Sequence, residues 1–280
     1  LSKSSLTTYG SILKNLYKKV YEEDDYDLER FNSPAPVLKY LEAIPPNRRK
    51  TILSALVIIT DKKQYRDLML KDVRDYNADI NKQEKNEKQE ASWVEKEAVN
   101  QVVADLRKNA EAIMKKSNKT ISDLQEIQNY IILSVLGGTF ISPRRSKDYV
   151  DFKIRNIDTS KDNYMEKNKF IFNSYKTAKT YGKQVVDIPV QLKNIIAKWI
   201  KINPTENLFF DANMNKLSAV KLNQRLNKIF DGRKVGVNQL RHTYLTDKFA
   251  DTIKKVGLDS VVTVEEWSSK EMLKTYVKKD

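Results

Sequence analysis

The sequence predicts a mainly helical protein with a small antiparallel β-sheet, an α+β fold. Apolar residues recur at steps of three and four residues through most of the 280-residue chain, which is the period of a helix with one buried face. Short segments rich in β-branched and aromatic residues appear only after Arg145, and turn-forming residues bound each of them. A helical majority and one small sheet explain both patterns.

The first part of the chain is predicted to be an all-helical bundle. Its apolar periodicity covers residues 5–20, 37–44, 52–59 and 65–80, and prolines at 34, 36, 45 and 46 punctuate it. Residues 81–91 contain almost no apolar side chain and cannot bury a face of their own. We therefore expect a helical domain over 1–85, a linker at 86–92 and a second domain over 93–280; a solvated helical extension is the alternative for the linker.

The second domain is predicted to mix both kinds of element. Helical periodicity covers residues 93–106, 124–135, 190–202, 218–230, 238–250 and 271–277. The strand-like segments are 149–154, 170–172 and 184–188. A small antiparallel sheet inside a helical domain follows from this order.

The charge balance favours a polyanionic partner. Lys and Arg number 51 against 37 acidic residues, a formal charge of +14, and each basic side chain placed on a phosphate releases a condensed counterion. Nucleic acid is the first candidate and an anionic membrane surface the second. The longest apolar stretch, Tyr130 to Ile141, is interrupted and falls short of the roughly 20 residues that span a bilayer, so no membrane-spanning segment is expected.

Several classes of site are excluded by composition. The chain has no Cys and one His, which removes disulfides, cysteine nucleophiles and multi-histidine metal sites, and permits a reducing intracellular compartment. No glycine-rich phosphate loop is present. Residues 22–25 form an acidic run that we interpret as a solvated turn, so no metal or cofactor is expected. Because the chain begins at Leu1 without an apolar leader, we expect it to be a fragment of a longer protein.

Residues whose side chains could take part in a reaction occur in a particular order along the second domain. Arg145 follows an apolar helix, and Asp148 stands three residues later. Lys176 and Lys179 precede a candidate strand. The last members are Asn238, Arg241, His242, Trp267 and Tyr276.

This order resembles the signature of the tyrosine recombinases, the phage-type integrases, over residues 93–280. The resemblance implies that Arg145 and Arg241 are the catalytic arginines, Lys176 the hairpin lysine, Trp267 the His-or-Trp position and Tyr276 the nucleophile. Lys179 is the alternative lysine, and Asp148 supports the first arginine. The preceding bundle is similar to the family's core-binding domain.

The chemistry needs residues of these types. Two guanidinium groups can clamp the non-bridging oxygens of a phosphodiester through charge-assisted hydrogen bonds. A phenol that attacks phosphorus forms a phosphotyrosine, which conserves the energy of the broken linkage for resealing. A lysine can protonate the departing sugar oxygen, and an indole N–H can donate to the site. The resemblance implies strand cleavage and rejoining in double-stranded DNA, with a homotetramer in the DNA synapse, a monomer when free, and an origin in a virus or virus-like mobile element.

Departures from the family pattern keep alternatives open. Asn238 stands where the family most often has His, and an amide cannot exchange a proton near neutral pH. His242 is turned about 100° from Arg241 on a helix and is expected to buttress the site rather than transfer a proton. Only four residues follow Tyr276.

A type IB topoisomerase-like enzyme and a catalytically inactive DNA-binding module are the alternative functions. The residues expected to bind DNA are Arg48, Arg49, Lys50 and Arg144.

Overall fold

The computed structural model describes residues 1, 3–256 and 275–278, and it divides the chain into two compact units, Leu1–Lys82 and Gln83–Asp280. The described residues are mainly helical and include a three-stranded antiparallel sheet, which confirms the predicted fold class. The division falls just before the predicted linker, so residues 86–92 belong to the second unit.

The first unit is a bundle of helices. They are α1 (Lys3–Tyr21), α2 (Pro34–Glu42), α3 (Pro46–Thr60) and α4 (Lys63–Lys82), with a 3₁₀ turn at Leu28–Asn32. Both α2 and α3 begin at a proline, whose fixed φ suits the first helical position and whose missing N–H is not needed there. Asp61 adopts a left-handed conformation with φ of 50°, and this ends α3.

The core of the first unit is built around aromatic side chains. The rings of Tyr17 and Phe31 meet edge to face with centroids 5.9 Å apart. The Tyr65 hydroxyl donates to the Phe31 carbonyl oxygen over 2.9 Å, so the phenol is buried without losing a polar partner. The amphipathic helices predicted for this region therefore enclose one core.

The second unit contains eight helices among the described residues. They are α5 (Glu87–Ser92), α6 (Lys96–Met114), α7 (Ile121–Leu136), α8 (Ser146–Val150), α9 (Ala178–Tyr181), α10 (Val190–Ile202), α11 (Ala219–Ile229) and α12 (Val237–Val256). Every residue of α7 from Ile127 to Leu136 is buried, so α7 forms the centre of this unit. The Gln128 amide makes two hydrogen bonds of 2.9 Å with the main chain of Phe210, which satisfies its buried polar atoms.

The sheet consists of β1 (Tyr164–Glu166), β2 (Lys169–Phe172) and β3 (Gln184–Asp187) in that order. The strands predicted at 170–172 and 184–188 are confirmed, and Ile171 pairs with Val185. The strand predicted at 149–154 is wrong: this segment contains the end of α8 and only isolated bridges at Phe152 and Lys153. Short apolar runs have no period long enough to separate a strand from a buried turn of helix.

Helix α10 coincides with the helix predicted at 190–202, and α12 extends the one predicted at 238–250. The helix predicted at 271–277 lies mostly outside the described residues. Among the helices that the structure describes, none is both long and apolar enough to cross a membrane.

Candidate active site

Helix α12 carries the central residues of the candidate site. The Asn223 side chain accepts a hydrogen bond of 2.9 Å from the Val237 N–H and so holds the first turn. Val237 and Leu240 pack into the core, whereas Asn238 is exposed. Asn238 and Arg241 are three residues apart, and this spacing places them on one helix face.

Arg241 is buried against Tyr276. Only 3% of Arg241 is exposed, and its guanidinium carbon lies 4.8 Å from the centroid of the Tyr276 ring. Burial is the main reason that the pKa of Arg241 falls to about 10; the positive charge of Arg145 acts in the same direction, and the charges of Tyr276 and Asp148 oppose it. A desolvated guanidinium of this kind interacts strongly with any anion that reaches it.

Arg145 and Asp148 belong to the same charge cluster. Asp148 is 1% exposed, and burial raises the pKa of its carboxyl against the opposing charges of Arg144, Arg145 and Arg241. Arg145 is half-buried at the start of α8. The structure therefore brings Arg145, Asp148, Arg241 and Tyr276 together, although they are separated by up to 131 positions in the sequence.

Arg144 is directed into the protein. Its Nε donates to Asp148 Oδ2 over 2.9 Å and its Nη2 to Gln184 Oε1 over 2.7 Å, while its guanidinium lies 4.1 Å from the Phe172 ring centroid. Arg144 links the arginine turn to β3 through Asp148 and Gln184. Contact of Arg144 with DNA stays a prediction.

The candidate lysines lie in the connection between β2 and β3. Lys176 follows β2 and Lys179 lies in the short helix α9; both are exposed. The Tyr175 hydroxyl donates to the Gly182 carbonyl oxygen over 2.7 Å and braces this connection. Lys183, directly before β3, is also exposed and is a candidate that sequence reasoning missed.

The main chain around Tyr276 is held by α12 and by the segment that precedes α5. His242 Nδ1 lies 2.9 Å from the Tyr276 carbonyl oxygen, and the Lys278 N–H donates to Thr246 Oγ1 over 2.9 Å. The Gln83 amide donates to the Val277 carbonyl oxygen over 3.4 Å. Tyr276 and Val277 are both buried, so this short segment is packed as well as hydrogen-bonded.

His242 is largely buried beside this segment. Its Nε2 lies 3.2 Å from Gln89 Nε2, and its ring centroid is 4.8 Å from that of Tyr276. Burial lowers the pKa of His242 to about 4. The imidazole is therefore neutral near pH 7, which fits the buttressing role expected for it.

Asn238 and His242 both line an open cleft of about 500 Å³. The other lining residues are polar or basic and include Lys88, Ser146 and Lys234. Among the described residues that line the cleft none is acidic, so they present hydrogen-bond donors and positive charge to an incoming anion. Asn238 can donate to a phosphoryl oxygen from this position.

The expected DNA-binding residues of the first unit have different environments. Arg49 makes a bidentate ion pair with the fully buried Asp72, with Nε and Nη2 distances of 2.8 and 2.6 Å, and donates to the Leu41 carbonyl oxygen. Lys50 lies over the Tyr76 ring, and burial lowers its pKa. Arg48 is exposed. Arg49 is therefore placed to hold α3 against α4, and Arg48 is the more accessible of these two arginines.

Sequence reasoning missed Gln83, Gln89 and Thr246, which contact the Tyr276 segment or its histidine. The spacing of Asn86 and Gln89 matches a helix-capping pair, and it is the one sequence feature that could have pointed to any of these three residues. Trp267 lies outside the described residues. Among the residues that the structure does describe, no group of three His, Cys, Asp or Glu side chains is placed to hold a metal ion.

Comparison with known proteins gave matches only among solved structures. No protein-family model and no curated protein sequence matches the chain. The similar structures include XerA recombinase at 11% identity and a TM-score of 0.42, covering 99% of this chain and 89% of that one. A λ integrase dimer bound to a core site matches at 12% identity and 0.47, covering 98% of this chain and 72% of that chain.

XerH site-specific recombinase, bound to a palindromic difH substrate, matches at 15% identity and a TM-score of 0.46, covering 97% of this chain and 75% of that one. These structural neighbours are tyrosine recombinases or integrases. With identities this low and TM-scores below 0.5, the functional argument rests on the residues of the site itself.

Proposed function

We propose that the chain is a DNA strand transferase of the tyrosine-recombinase type, which cleaves and rejoins double-stranded DNA through a 3′-phosphotyrosyl intermediate at Tyr276. The observation that carries the proposal is the contact between the buried guanidinium of Arg241 and the Tyr276 ring, beside Arg145 and Asp148. A nucleophile and two phosphate-binding arginines within one charge cluster are what phosphoryl transfer requires.

In this proposal Arg145 and Arg241 bind the non-bridging oxygens of the scissile phosphate. The Tyr276 phenol oxygen gives up its proton to solvent water and forms a bond to phosphorus, and the bond between phosphorus and the 5′ oxygen breaks. Asn238 donates a hydrogen bond to a phosphoryl oxygen but cannot accept the phenolic proton. Since the ester energy is kept in the phosphotyrosine, a 5′ hydroxyl of another strand can reverse the step without ATP.

Lys176, or Lys179 in its place, protonates the departing 5′ oxygen. A lysine suits this role because its ammonium is a mobile donor on a flexible stem. Trp267 supplies packing or an indole donor. Asp148 and Arg144 act on the geometry of Arg145 and do not contact the phosphate, since they are buried and paired with each other.

The assembly follows from the same proposal. The excess of basic residues, +14 in total, favours a clamp of both units around duplex DNA. Exchange of strands between two duplexes needs four active sites, so we propose a homotetramer in the synapse and a monomer when free.

The experiment is a search for a covalent protein–DNA adduct. The chain is incubated with supercoiled plasmid in EDTA, quenched with SDS, and analysed beside a Tyr276→Phe variant, which keeps the ring packing but lacks the nucleophilic oxygen. We expect an adduct with the parent chain and none with the variant. An equal adduct in both would refute Tyr276 as the nucleophile, and plasmid relaxation without joining of two sites would favour a topoisomerase-like activity.

A further inference from the structure

The cap of helix α5 fixes the orientation of the Gln89 side chain. The Asn86 N–H donates to Gln89 Oε1 over 3.0 Å, and the Gln89 N–H donates to Asn86 Oδ1 over 3.0 Å. This reciprocal arrangement is a capping box. Because the amide oxygen of Gln89 is used by the cap, its amide nitrogen is the atom that faces away from the helix end.

That nitrogen determines which tautomer His242 adopts. Gln89 Nε2 lies 3.2 Å from His242 Nε2. An amide nitrogen only donates, so His242 Nε2 must accept and the ring proton must be on Nδ1. His242 Nδ1 then donates to the Tyr276 carbonyl oxygen over 2.9 Å. Only the Nδ1–H tautomer of His242 gives both hydrogen bonds, the one from Gln89 and the one to Tyr276, a donor and an acceptor.

The same short segment makes further contacts with the site. The Gln83 amide donates to the Val277 carbonyl oxygen over 3.4 Å, and the Ser92 hydroxyl donates to Gln239 Oε1 over 3.3 Å. Gln239 is on α12 and Val277 is next to Tyr276. Residues 83–92, which include the linker predicted at 86–92, are therefore hydrogen-bonded both to the helix that carries Arg241 and to the nucleophile segment.

We propose that Gln89 and His242 are positioning residues for Tyr276: the cap of α5 sets the tautomer of His242, and His242 holds the main chain of the nucleophile. The inference deepens the proposed function and rests on it. It makes strand cleavage depend on a folded α5, since an unfolded α5 would present no donor to His242 Nε2 and would remove one of the two hydrogen bonds that hold the imidazole.

The charged groups that face His242 are Arg241 on its own helix and Lys278 in the C-terminal segment, and both disfavour the imidazolium. Helix α5 contributes the neutral Gln89. The surrounding positive charges favour the neutral imidazole, and a neutral donor from α5 favours it too. Replacing that donor with an anionic acceptor would favour the imidazolium instead.

The first test is nitrogen NMR of the parent chain. His242 is the only histidine in the sequence, so its ring signals need no assignment. We expect the Nδ1–H tautomer at neutral pH. A ring protonated at Nε2 instead would overturn the proposal, and this readout does not depend on DNA cleavage.

The second test compares Gln89→Glu with Ala91→Glu. A carboxylate at 89 can still serve the capping box, but it offers His242 an acceptor, so Nδ1 keeps its proton only when the ring is doubly protonated. We expect adduct formation by Gln89→Glu to fall about tenfold for each pH unit above the raised pKa of His242. Ala91→Glu adds the same charge to an exposed site of the same helix and should keep the parent profile.

The outcomes separate the two proposals. Identical pH profiles for the two variants would overturn the positioning role. Absence of any Tyr276-dependent adduct in the parent chain would refute the proposed function, and the NMR tautomers of the parent chain and of Gln89→Glu, compared with each other, would then decide the link from Gln89 to His242.

Discussion

The guanidinium carbon of Arg241 lies 4.8 Å from the centroid of the Tyr276 ring, although 35 sequence positions separate the two residues. Arg241 is fixed by α12, whereas Tyr276 is brought to it by hydrogen bonds to its own main chain. This pairing of a phosphate-binding group with a candidate nucleophile is the basis of the predictions that follow.

Replacing Arg241 with Lys is expected to slow adduct formation by about 10² to 10³ fold. The charge is kept, but the planar fork that can bind two phosphoryl oxygens is lost. Single-turnover adduct formation measures the effect, and DNA retention at fixed salt should change little. Arg233→Lys, on an exposed loop, is the matched control. A rate equal to that of the control would remove Arg241 from the proposed chemistry.

Lys176→Met is expected to reduce cleavage by about 10² to 10⁴ fold, the contribution of a general acid. A substrate with sulfur at the departing 5′ position should restore the rate, because a thiolate leaves without protonation. Lys179→Met is the matched variant. If the sulfur substrate rescues Lys179→Met instead, the roles of the two lysines are exchanged; rescue of neither would mean that another group, such as Lys183, is the acid.

Arg48→Ala and Arg49→Ala should have opposite consequences. Arg49 neutralises the fully buried Asp72, so its loss is expected to lower the free energy of unfolding by about 3 kcal/mol. Arg48 is exposed, and its loss should leave stability unchanged while reducing the salt dependence of DNA binding by about one counterion. Urea denaturation and salt-dependent binding test the pair; a destabilised Arg48→Ala would contradict this assignment.

Acidification should destabilise the site through His242. Its pKa is about 4 in the folded chain and ordinarily 6.5, so the unfolded chain binds the extra proton first as pH falls. Stability is therefore lost between pH 6.5 and about 4, by about 3 kcal/mol in full. His242→Asn keeps a donor for the Tyr276 carbonyl oxygen without titrating. The difference between the two unfolding profiles should show this slope, and parallel profiles would be inconsistent with a buried neutral imidazole.

The sequence predicted the longer helices and two of the three strands because apolar periodicity and turn residues are local signals, but it did not predict the short helices α5, α8 and α9. It also identified the residues that the structure collects at Arg145, Asp148, Arg241 and Tyr276. It did not distinguish Arg48 from Arg49, and it did not reveal the pairing of Arg144 with Asp148 and Gln184. Which of two adjacent arginines is buried depends on partners that are distant in sequence, and no local pattern encodes those partners.

The segment from Gln83 to Ser92 shows a second limit of composition. A lack of apolar residues indicated a linker, yet Glu87–Ser92 is helical and is attached to α12 by polar contacts. Hydrogen bonds between side chains leave no periodic signature. The spacing of Asn86 and Gln89 indicated a helix cap, but the sequence did not indicate that Gln89 contacts His242.

The contacts that hold the Tyr276 segment grip its main chain: His242 reaches a carbonyl oxygen, and Thr246 and Gln83 bind peptide groups of the next two residues. These hydrogen bonds hold the main chain at position 276 without involving its side chain. Because these hydrogen bonds do not involve the phenol, Tyr276→Phe should keep the segment in place while removing the attacking oxygen, so loss of cleavage in that variant would report on the hydroxyl itself and not on the position of the main chain.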